Sequence, residues 1–314
     1  MELAIDEMPS IGVGRERNLF MYPFSFEEFL NALGENLLIE AYRSASPASP
    51  LFDPIHRKLL NHLKIFLIIG GLPEVIASYV HSQDLLKCQE LLNDLVLTFR
   101  RDFHKYKQKI PGNRIAEVFQ SVANQVNGKF IYEKAAIGAS NYQVRQALDL
   151  LIKAGLVIPV THTAANGIPL GAEKNSKYRR MLMCDTGLYQ RTLGLDTAAL
   201  LLSDDFKVVN RGAIAEMFVG LEIIKSTSPY EEAELYCWVR EKKNSQAQVD
   251  FVVQKGEQIF PIEVKSGTQG SMQSLREFMN EKKTEKGIRT SLENFFQLEN
   301  IDAYPMYAIS NLLK

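Results

Sequence analysis

The stretch 248-QVDFVVQKGEQIFPIEVKSG-267 decides how the C-terminal third of this chain folds. Its apolar runs predict two β-strands joined by a tight turn. Three charged residues, Asp250, Glu263 and Lys265, lie inside those strands. Burying an unpaired charge in an apolar strand is strongly unfavourable. We therefore expect these side chains to be compensated by one another or by a bound ion.

The alternation of side chains along a strand puts Glu263 and Lys265 on the same face. With a two-residue turn at 255–256, Asp250 pairs with Pro261, one same-face step from Glu263. Two neighbouring carboxylates repel each other unless a cation lies between them, and Mg²⁺ prefers such oxygen ligands. The lysine would orient a water or neutralise an anionic transition state. The alternative is a solvated strand face that carries an ion pair.

Composition sets the broad class of the protein. The chain has 314 residues, and at roughly 100–200 residues per domain this length suggests two or three domains. Lys and Arg number 36 against 37 Asp and Glu, so any basic surface must be local. The cysteines Cys88, Cys184 and Cys237 form no C-x-x-C pair, which favours free thiols in a reducing cytosol.

Targeting signals are not evident in the sequence. The segment 1–10 is acidic and lacks the pattern of a signal peptide, and the most apolar run, 65–76, is short and interrupted by glycines and proline. We therefore expect a cytoplasmic protein that does not contact a membrane.

The N-terminal part is predicted to be helical. An apolar strand at Leu19–Tyr22 is followed by a helix that begins near Ser25 with a capping-box pattern. Apolar residues then recur at helical spacing to about residue 105, with a loop at 44–54.

Residues 110–185 have the layout of a winged helix, in which two helices precede a β-hairpin. The predicted elements are helix 113–127, strand-like segment 129–136, helix 141–156, and strands 157–163 and 177–185. Such modules bind DNA, and they also serve as interdomain or dimer elements. Both roles stay open, because the chain is almost neutral and its second helix carries few positive charges.

Side chains at the start of the second helix would enter a major groove, and cations on the hairpin would contact phosphates. The candidates are Asn141, Gln143, Arg145 and Gln146 on the helix and Lys174, Lys177, Arg179 and Arg180 on the hairpin.

The last third alternates helices and strands, which predicts a mixed sheet flanked by helices. The predicted elements are helix 210–226, strand 233–241, the strand pair quoted above, helix 271–283 and strand 303–310; the polar segment 281–290 is predicted to be a solvated loop.

The pattern Asp250…Glu263-x-Lys265 resembles the PD-(D/E)XK nuclease-like superfamily. This resemblance implies that Asp250 and Glu263 hold Mg²⁺ and that Lys265 assists attack of water on a DNA phosphodiester. Members of the superfamily often add a glutamate from the preceding helix, and Glu216 stands on that element here. Residues 248–249, Gln and Val, replace the proline of the motif name.

Small neighbours would let Glu216 reach the site, since Gly212 and Gly220 stand four residues away on either side. The resemblance makes Glu216 a third candidate ligand for Mg²⁺ and a member of the catalytic set with Asp250, Glu263 and Lys265.

Several stretches, in the same order over nearly the whole chain, resemble bacterial and archaeal AAA-type ATPases whose C-terminal half is a domain of unknown function. They are VGRERNLFMYPFSFEEFL, GGLPEVI, RRDFHKY, SNYQVRQALDLLIKAGLVIPV, KYRRMLMCDTGL, RGAIAEMFVGLEI and QVDFVV…IEVKSG. The resemblance implies an α+β multidomain chain. Its expected parts are an ATPase remnant at 1–24, a helical lid at 25–108, a winged helix at 109–195 and a nuclease-like domain at 196–314.

The family has a P-loop domain ahead of these parts, but the sequence contains no G-x-x-x-x-G-K-[ST]. Backbone amides and a lysine of that motif cradle ATP phosphates, so we expect neither ATP binding nor ATP turnover by this polypeptide alone. By resemblance Gly14-Arg15 follows the last part of the ATPase core. Met1 would then lie just inside that domain, in a truncated product or a member that has lost its motor. Arg15 would be an arginine finger or a surface residue.

Three hypotheses of function follow, of which the third is an inactive remnant left by the truncation. The first is a Mg²⁺-dependent nuclease acting on DNA. The second is a non-catalytic module that binds nucleic acid, a protein partner or a second copy of itself.

Overall fold

The computed structural model describes residues 17–106, 110–126, 128–195, 211–241, 247–266 and 271–313. Over these ranges the chain has an α+β architecture with an eight-stranded mixed sheet, which confirms the predicted class. Residues 1–16, including Gly14 and Arg15 of the predicted ATPase remnant, lie outside the described residues.

Helices dominate the N-terminal part, as the apolar spacing predicts. They are α1 (Phe26–Ala32), α2 (Asn36–Ser44), α3 (Asp53–Ile69), α4 (Pro73–Ser82) and α5 (Leu85–Phe103), followed by a 3-10 turn at His104–Tyr106. The capping box on Ser25 is present, because its hydroxyl accepts the N–H of Glu28 and the Glu28 carboxylate accepts the N–H of Ser25. The predicted strand at Leu19–Tyr22 is wrong. That segment is irregular and makes a backbone bond from Phe20 N to Pro229 O (2.8 Å) instead of joining the sheet.

Two further helices, α6 (Gly112–Asn124) and α7 (Asn141–Lys153), form where helices were predicted and pack against each other. The strand-like segment 129–136 instead contains a 3-10 turn at Tyr132–Lys134. Its link to the sheet is the backbone bond from Phe130 N to Arg179 O (2.8 Å).

The strands form one sheet in the order β2-β1-β3-β4-β5-β6-β8-β7. They are β1 (Val157–Thr163), β2 (Lys174–Met183), β3 (Leu235–Val239), β4 (Gln248–Lys255), β5 (Gln258–Val264), β6 (Gly287–Ser291), β7 (Phe296–Leu298) and β8 (Ile301–Pro305). The predicted hairpin forms as β1 and β2, and β1 then pairs in parallel with β3. The hairpin is therefore one edge of the same sheet that contains the strand pair β4–β5.

The remaining helices lie among the later strands. They are α8 (Thr186–Thr192), α9 (Arg211–Lys225) and α10 (Gln273–Lys282), with 3-10 turns at Leu170–Glu173 and Met306–Leu312. The segment 281–290, predicted to be a solvated loop, contributes most of β6, and Ile288 on that strand is buried. The last predicted strand ends at Pro305, and the 3-10 turn beyond it buries consecutive side chains in the core.

Helix α9 connects the sheet to the N-terminal helices. The Phe218 ring lies 6.4 Å from that of Phe26 and 6.1 Å from that of Phe66, centroid to centroid. A Cβ atom at Gly220 would come within 2.9 Å of the Phe251 ring on β4, so the missing side chain lets α9 lie close to the sheet. Gly212, in contrast, has no atom within 4 Å of such a Cβ position.

Within the described ranges no helix combines the length and the apolar character needed to cross a membrane.

Candidate functional site

The β4–β5 turn occupies residues 256–257, one residue later than predicted, because Lys255 pairs with Gln258. Pro261 consequently lies opposite Val252 rather than opposite Asp250. The residue opposite Pro261 is therefore displaced by two positions, an even number, so the side chain of Asp250 lies on the predicted face of the sheet. The paired residues of β4 and β5 end at Phe251 and Ile262, and the next positions along the two strands are Asp250 and Glu263.

Glu263 and Lys265 lie together, as strand alternation predicts. Lys265 Nζ donates to Glu263 Oε1 at 2.7 Å, while Ile262 and Val264 belong to the main apolar core. The second carboxylate oxygen, Glu263 Oε2, is buried and has no hydrogen-bond partner among the described residues.

Asp250 is held at the point where β4 and β5 stop pairing. Its Oδ2 accepts the N–H of Val264 at 2.8 Å, and its backbone carbonyl accepts a hydrogen bond from Arg180 Nη2. Its Oδ1 lies 3.9 Å from Arg180 Nη1, too far for a direct hydrogen bond.

Glu216 reaches the same region from α9. Its Oε2 lies 2.6 Å from Arg180 Nη1, in an ion pair whose arginine side chain is 1% exposed and whose glutamate side chain is 19% exposed. Gly220, one turn further along α9, permits this close approach, whereas the small size of Gly212 plays no comparable part.

Arg180 is the site residue whose place the sequence did not reveal. The prediction that it contacts DNA phosphates is wrong, because this side chain lies among Glu216, Asp250 and the ring of Phe251, 5.4 Å from the ring centroid. The available signal was its position in β2: Arg180 directly precedes the apolar run Met181–Met183, and burial begins with Arg180 itself.

Burial raises the pKa of all three carboxyl groups, and repulsion by the Asp250 charge adds to the shift of Glu216 and Glu263. Burial, with a contribution from the Asp250 charge, raises the pKa of Glu263 to about 7 against the opposing effect of Lys265. The same two causes raise the pKa of Glu216 to about 7, although Arg180 favours its ionised form. Burial also raises the pKa of Asp250, while Arg180 and the Val264 N–H oppose that shift. The cluster therefore retains uncompensated negative charge when all three are ionised.

The fit of this cluster to Mg²⁺ can be judged from its oxygen atoms. In the part of the chain that the structure describes, no three or more His, Cys, Asp or Glu side chains are grouped to hold a metal ion. Glu216, one of the three predicted ligands, is tied to Arg180. Among the described residues Glu263 Oε2 has no hydrogen-bond partner, and Asp250 Oδ1 lies 3.9 Å from Arg180 Nη1, beyond hydrogen-bond distance. Mg²⁺ is commonly bound through one or two carboxylates with waters and substrate phosphates, so the residues fit a two-carboxylate site.

The candidate DNA-contacting residues on α7 have local partners. Asn141 Nδ2 donates to Glu133 Oε1 at 3.0 Å, and Gln143 completes a capping box with Ser140. Arg145 is exposed and its guanidinium carbon lies 5.5 Å from the centroid of the Tyr132 ring.

On β2 the candidates differ in exposure. Lys177 is exposed and Arg179 is half-buried, while Lys174 pairs with Glu234 at 2.8 Å. The backbone bond from Phe130 N to Arg179 O brings this strand beside the segment that carries Tyr132. Arg145, Lys177 and Arg179 thus belong to neighbouring elements.

Comparison with known proteins gives two family matches. A model described as a domain of unknown function, DUF8612, matches residues 60–199, and a second, DUF4143, also a domain of unknown function, matches residues 211–309. DUF4143 is known to follow AAA-type ATPase domains, which agrees with part of the resemblance drawn from the sequence. No curated protein and no solved structure shows significant similarity to the chain.

The two matches divide the acidic cluster. Arg180 falls in the DUF8612 match, whereas Glu216, Asp250, Glu263 and Lys265 fall in the DUF4143 match. The cluster is therefore assembled from both matched segments.

Proposed function

We propose that this chain is a Mg²⁺-dependent phosphodiesterase that acts on DNA and that corresponds to the non-motor part of an AAA-type ATPase, located in the cytoplasm. The observation that carries the proposal is Glu263 Oε2, a buried carboxylate oxygen beside Asp250 and Lys265 that has no hydrogen-bond partner among the residues that the structure describes. Leaving a buried acceptor unpaired is unfavourable, and such groups in native structures often have a functional reason.

In this proposal Asp250 and Glu263 hold the ion and Lys265 acts on the phosphate. Mg²⁺, when bound, would polarise the phosphodiester and make a coordinated water a better nucleophile. Lys265, held by Glu263, would place its positive charge beside the phosphate as negative charge develops there. The Val264 N–H keeps Asp250 in place by occupying Oδ2 and leaving Oδ1 for the ion.

The DNA would reach the site along α7 and β2. Arg145 and Lys177 are exposed, and Arg179 lies next to Lys177 on the edge strand. Their cations would neutralise phosphates, while Asn141 and Gln143 lie at the exposed N-terminal end of α7. Binding through phosphates should weaken steeply as salt rises.

A second candidate function is binding without cleavage, of nucleic acid, of a protein partner or of another copy of the chain. Arg180 favours this alternative, because its guanidinium already compensates Glu216 and lies near Asp250. The guanidinium already neutralises part of the carboxylate charge that a metal ion would otherwise neutralise.

The test uses the purified chain with plasmid or single-stranded DNA and with Mg²⁺ or Mn²⁺. Lys265→Ala removes the proposed catalytic lysine, and Lys286→Ala is a matched control, since Lys286 pairs with Asp302 (2.7 Å) outside the cluster. Cleavage by the wild type and by Lys286→Ala, but not by Lys265→Ala, supports the phosphodiesterase. Salt-sensitive binding without cleavage supports the second function, and the absence of both refutes DNA as the target.

A further inference from the structure

Arg180 supplies a permanent positive charge to the acidic cluster formed by Glu216, Asp250 and Glu263. It is among the largest fully buried side chains of the described residues. One guanidinium nitrogen lies 2.6 Å from Glu216 and 3.9 Å from Asp250 Oδ1, and the other donates to the Asp250 carbonyl. Arginine remains charged in proteins, so this positive charge is present at every working pH.

The charge balance decides how many divalent ions the cluster can take. When all three carboxyl groups are ionised, Glu216, Asp250 and Glu263 face two cations, Arg180 and Lys265, which leaves one negative charge. One divalent ion converts this to a single positive charge. A second divalent ion would add two more positive charges close to a fixed guanidinium, and like charges at short range in a partly buried site repel strongly.

The oxygen atoms give the same limit. Two-metal phosphodiester sites place their ions close together and need enough carboxylates to hold both. Here Glu216 Oε2 is taken by Arg180, Asp250 Oδ2 by Val264 N–H and Glu263 Oε1 by Lys265. Glu216 Oε1, Asp250 Oδ1 and Glu263 Oε2 remain. Of the three carboxylates, Asp250 and Glu263 are the two that make no direct side-chain hydrogen bond with Arg180, and their two oxygens are a donor set for one ion.

We propose that Arg180 takes the place of a second metal ion and limits the site to one divalent cation, held by Asp250 and Glu263. This inference rests on the proposed function, because it presupposes that the cluster binds a metal ion at all. It also explains why the β1–β2 edge contributes to the site: β2 lies three strands from β4 in the sheet order and supplies this one guanidinium.

The test is a titration of the full chain with Mn²⁺, in which electron paramagnetic resonance counts the ions bound per chain. The wild type should bind one ion, and Asp250→Asn should weaken that binding at least tenfold. Arg180→Met should bind two ions, because Glu216 Oε2 loses its guanidinium partner and the fixed positive charge is removed. Arg180→Lys should bind one, because the positive charge is retained.

The outcomes separate the two proposals. No bound ion in the wild type overturns the metal site itself and with it this inference. Two ions in the wild type, or one ion in Arg180→Met that remains folded by circular dichroism, overturn the role of Arg180 alone. If Arg180→Met does not fold, the double variant Arg180→Met with Glu216→Gln removes the unpaired charge. It should bind one ion, and a second ion there would contradict the inference.

Discussion

Replacing Asp185 by alanine should destabilise the protein by about 2–4 kcal/mol, whereas Asp84→Ala should cost about 1 kcal/mol. Both residues cap a helix. Asp185 accepts the N–H of Leu188 at 2.8 Å in α8 and also that of Gly71 at 2.6 Å, on a distant segment, while it is 1% exposed. Asp84 accepts two N–H groups of the first turn of α5 in a more exposed position.

The difference between the two predicted losses of stability comes from the backbone N–H of Gly71, which Asp185 accepts in addition to its helix-capping bond. Loss of a capping side chain costs about 1 kcal/mol, and this applies to both aspartates. In Asp185→Ala the buried N–H of Gly71 also loses its acceptor, which costs about 1–3 kcal/mol more. Burial raises the pKa of Asp185, so removing its charge offsets part of the loss and keeps the total near the lower end of that sum.

Urea unfolding at pH 7 measures both variants against the wild type, with the free energy of unfolding extrapolated to water. The prediction holds if the slopes agree and Asp185→Ala loses at least about 1 kcal/mol more than Asp84→Ala. Equal losses, within about 0.5 kcal/mol, would refute the assignment of Asp185 as a buried link between α8 and the glycines after α3.

Three further predictions concern stability. Gly220→Ala should lower the free energy of unfolding by about 1–3 kcal/mol through overpacking against Phe251, whereas Gly212→Ala should raise it by up to about 1 kcal/mol. Chemical denaturation measures both variants, and equal effects would contradict the close approach of α9 to the sheet. Gly70→Ala should destabilise, because φ is +74° there and the new Cβ would meet the Asp185 carboxylate; a thermal midpoint equal to that of the wild type would contradict it. Burial lowers the pKa of His56 below 6.5, so the unfolded chain binds more protons at this residue than the folded chain does, and the stability contributed by neutral His56 is lost as pH falls below 6.5. Between pH 7.5 and 5.5 the urea midpoint of His56→Gln should therefore fall less than that of the wild type. An equal fall in both proteins would contradict this prediction.

Local signals predicted much of the fold. The capping box at Ser25 was predicted because its two partners are three residues apart in the sequence. The structure adds a second capping box at Ser140, for which no prediction was made. The face shared by Glu263 and Lys265 followed from alternation along one strand, and Asp250 on β4 stayed on that face after the turn was displaced because the register changed by an even number of residues.

Other elements were missed where local polarity and tertiary position disagree. The segment that ends in β6 is polar at its start, yet Ile288 is buried between two parallel neighbours, β5 and β8. Leu19–Tyr22 is apolar, yet it lies outside the sheet. The predicted boundary at residue 195 falls between strands of one sheet, because β1 pairs with β3 across it.

The amino-acid sequence alone indicated most of the helices, the hairpins β1–β2 and β4–β5, and the acidic and basic residues available for a site, since these depend on neighbours a few positions apart. Only the tertiary structure decided which charges meet. Arg180 is 36 residues from Glu216 and 70 from Asp250 along the chain, and their contact follows from the order of strands and the packing of α9. A charge inside a protein is stabilised or destabilised by the groups around it in space, so its role could not be found until that order was known.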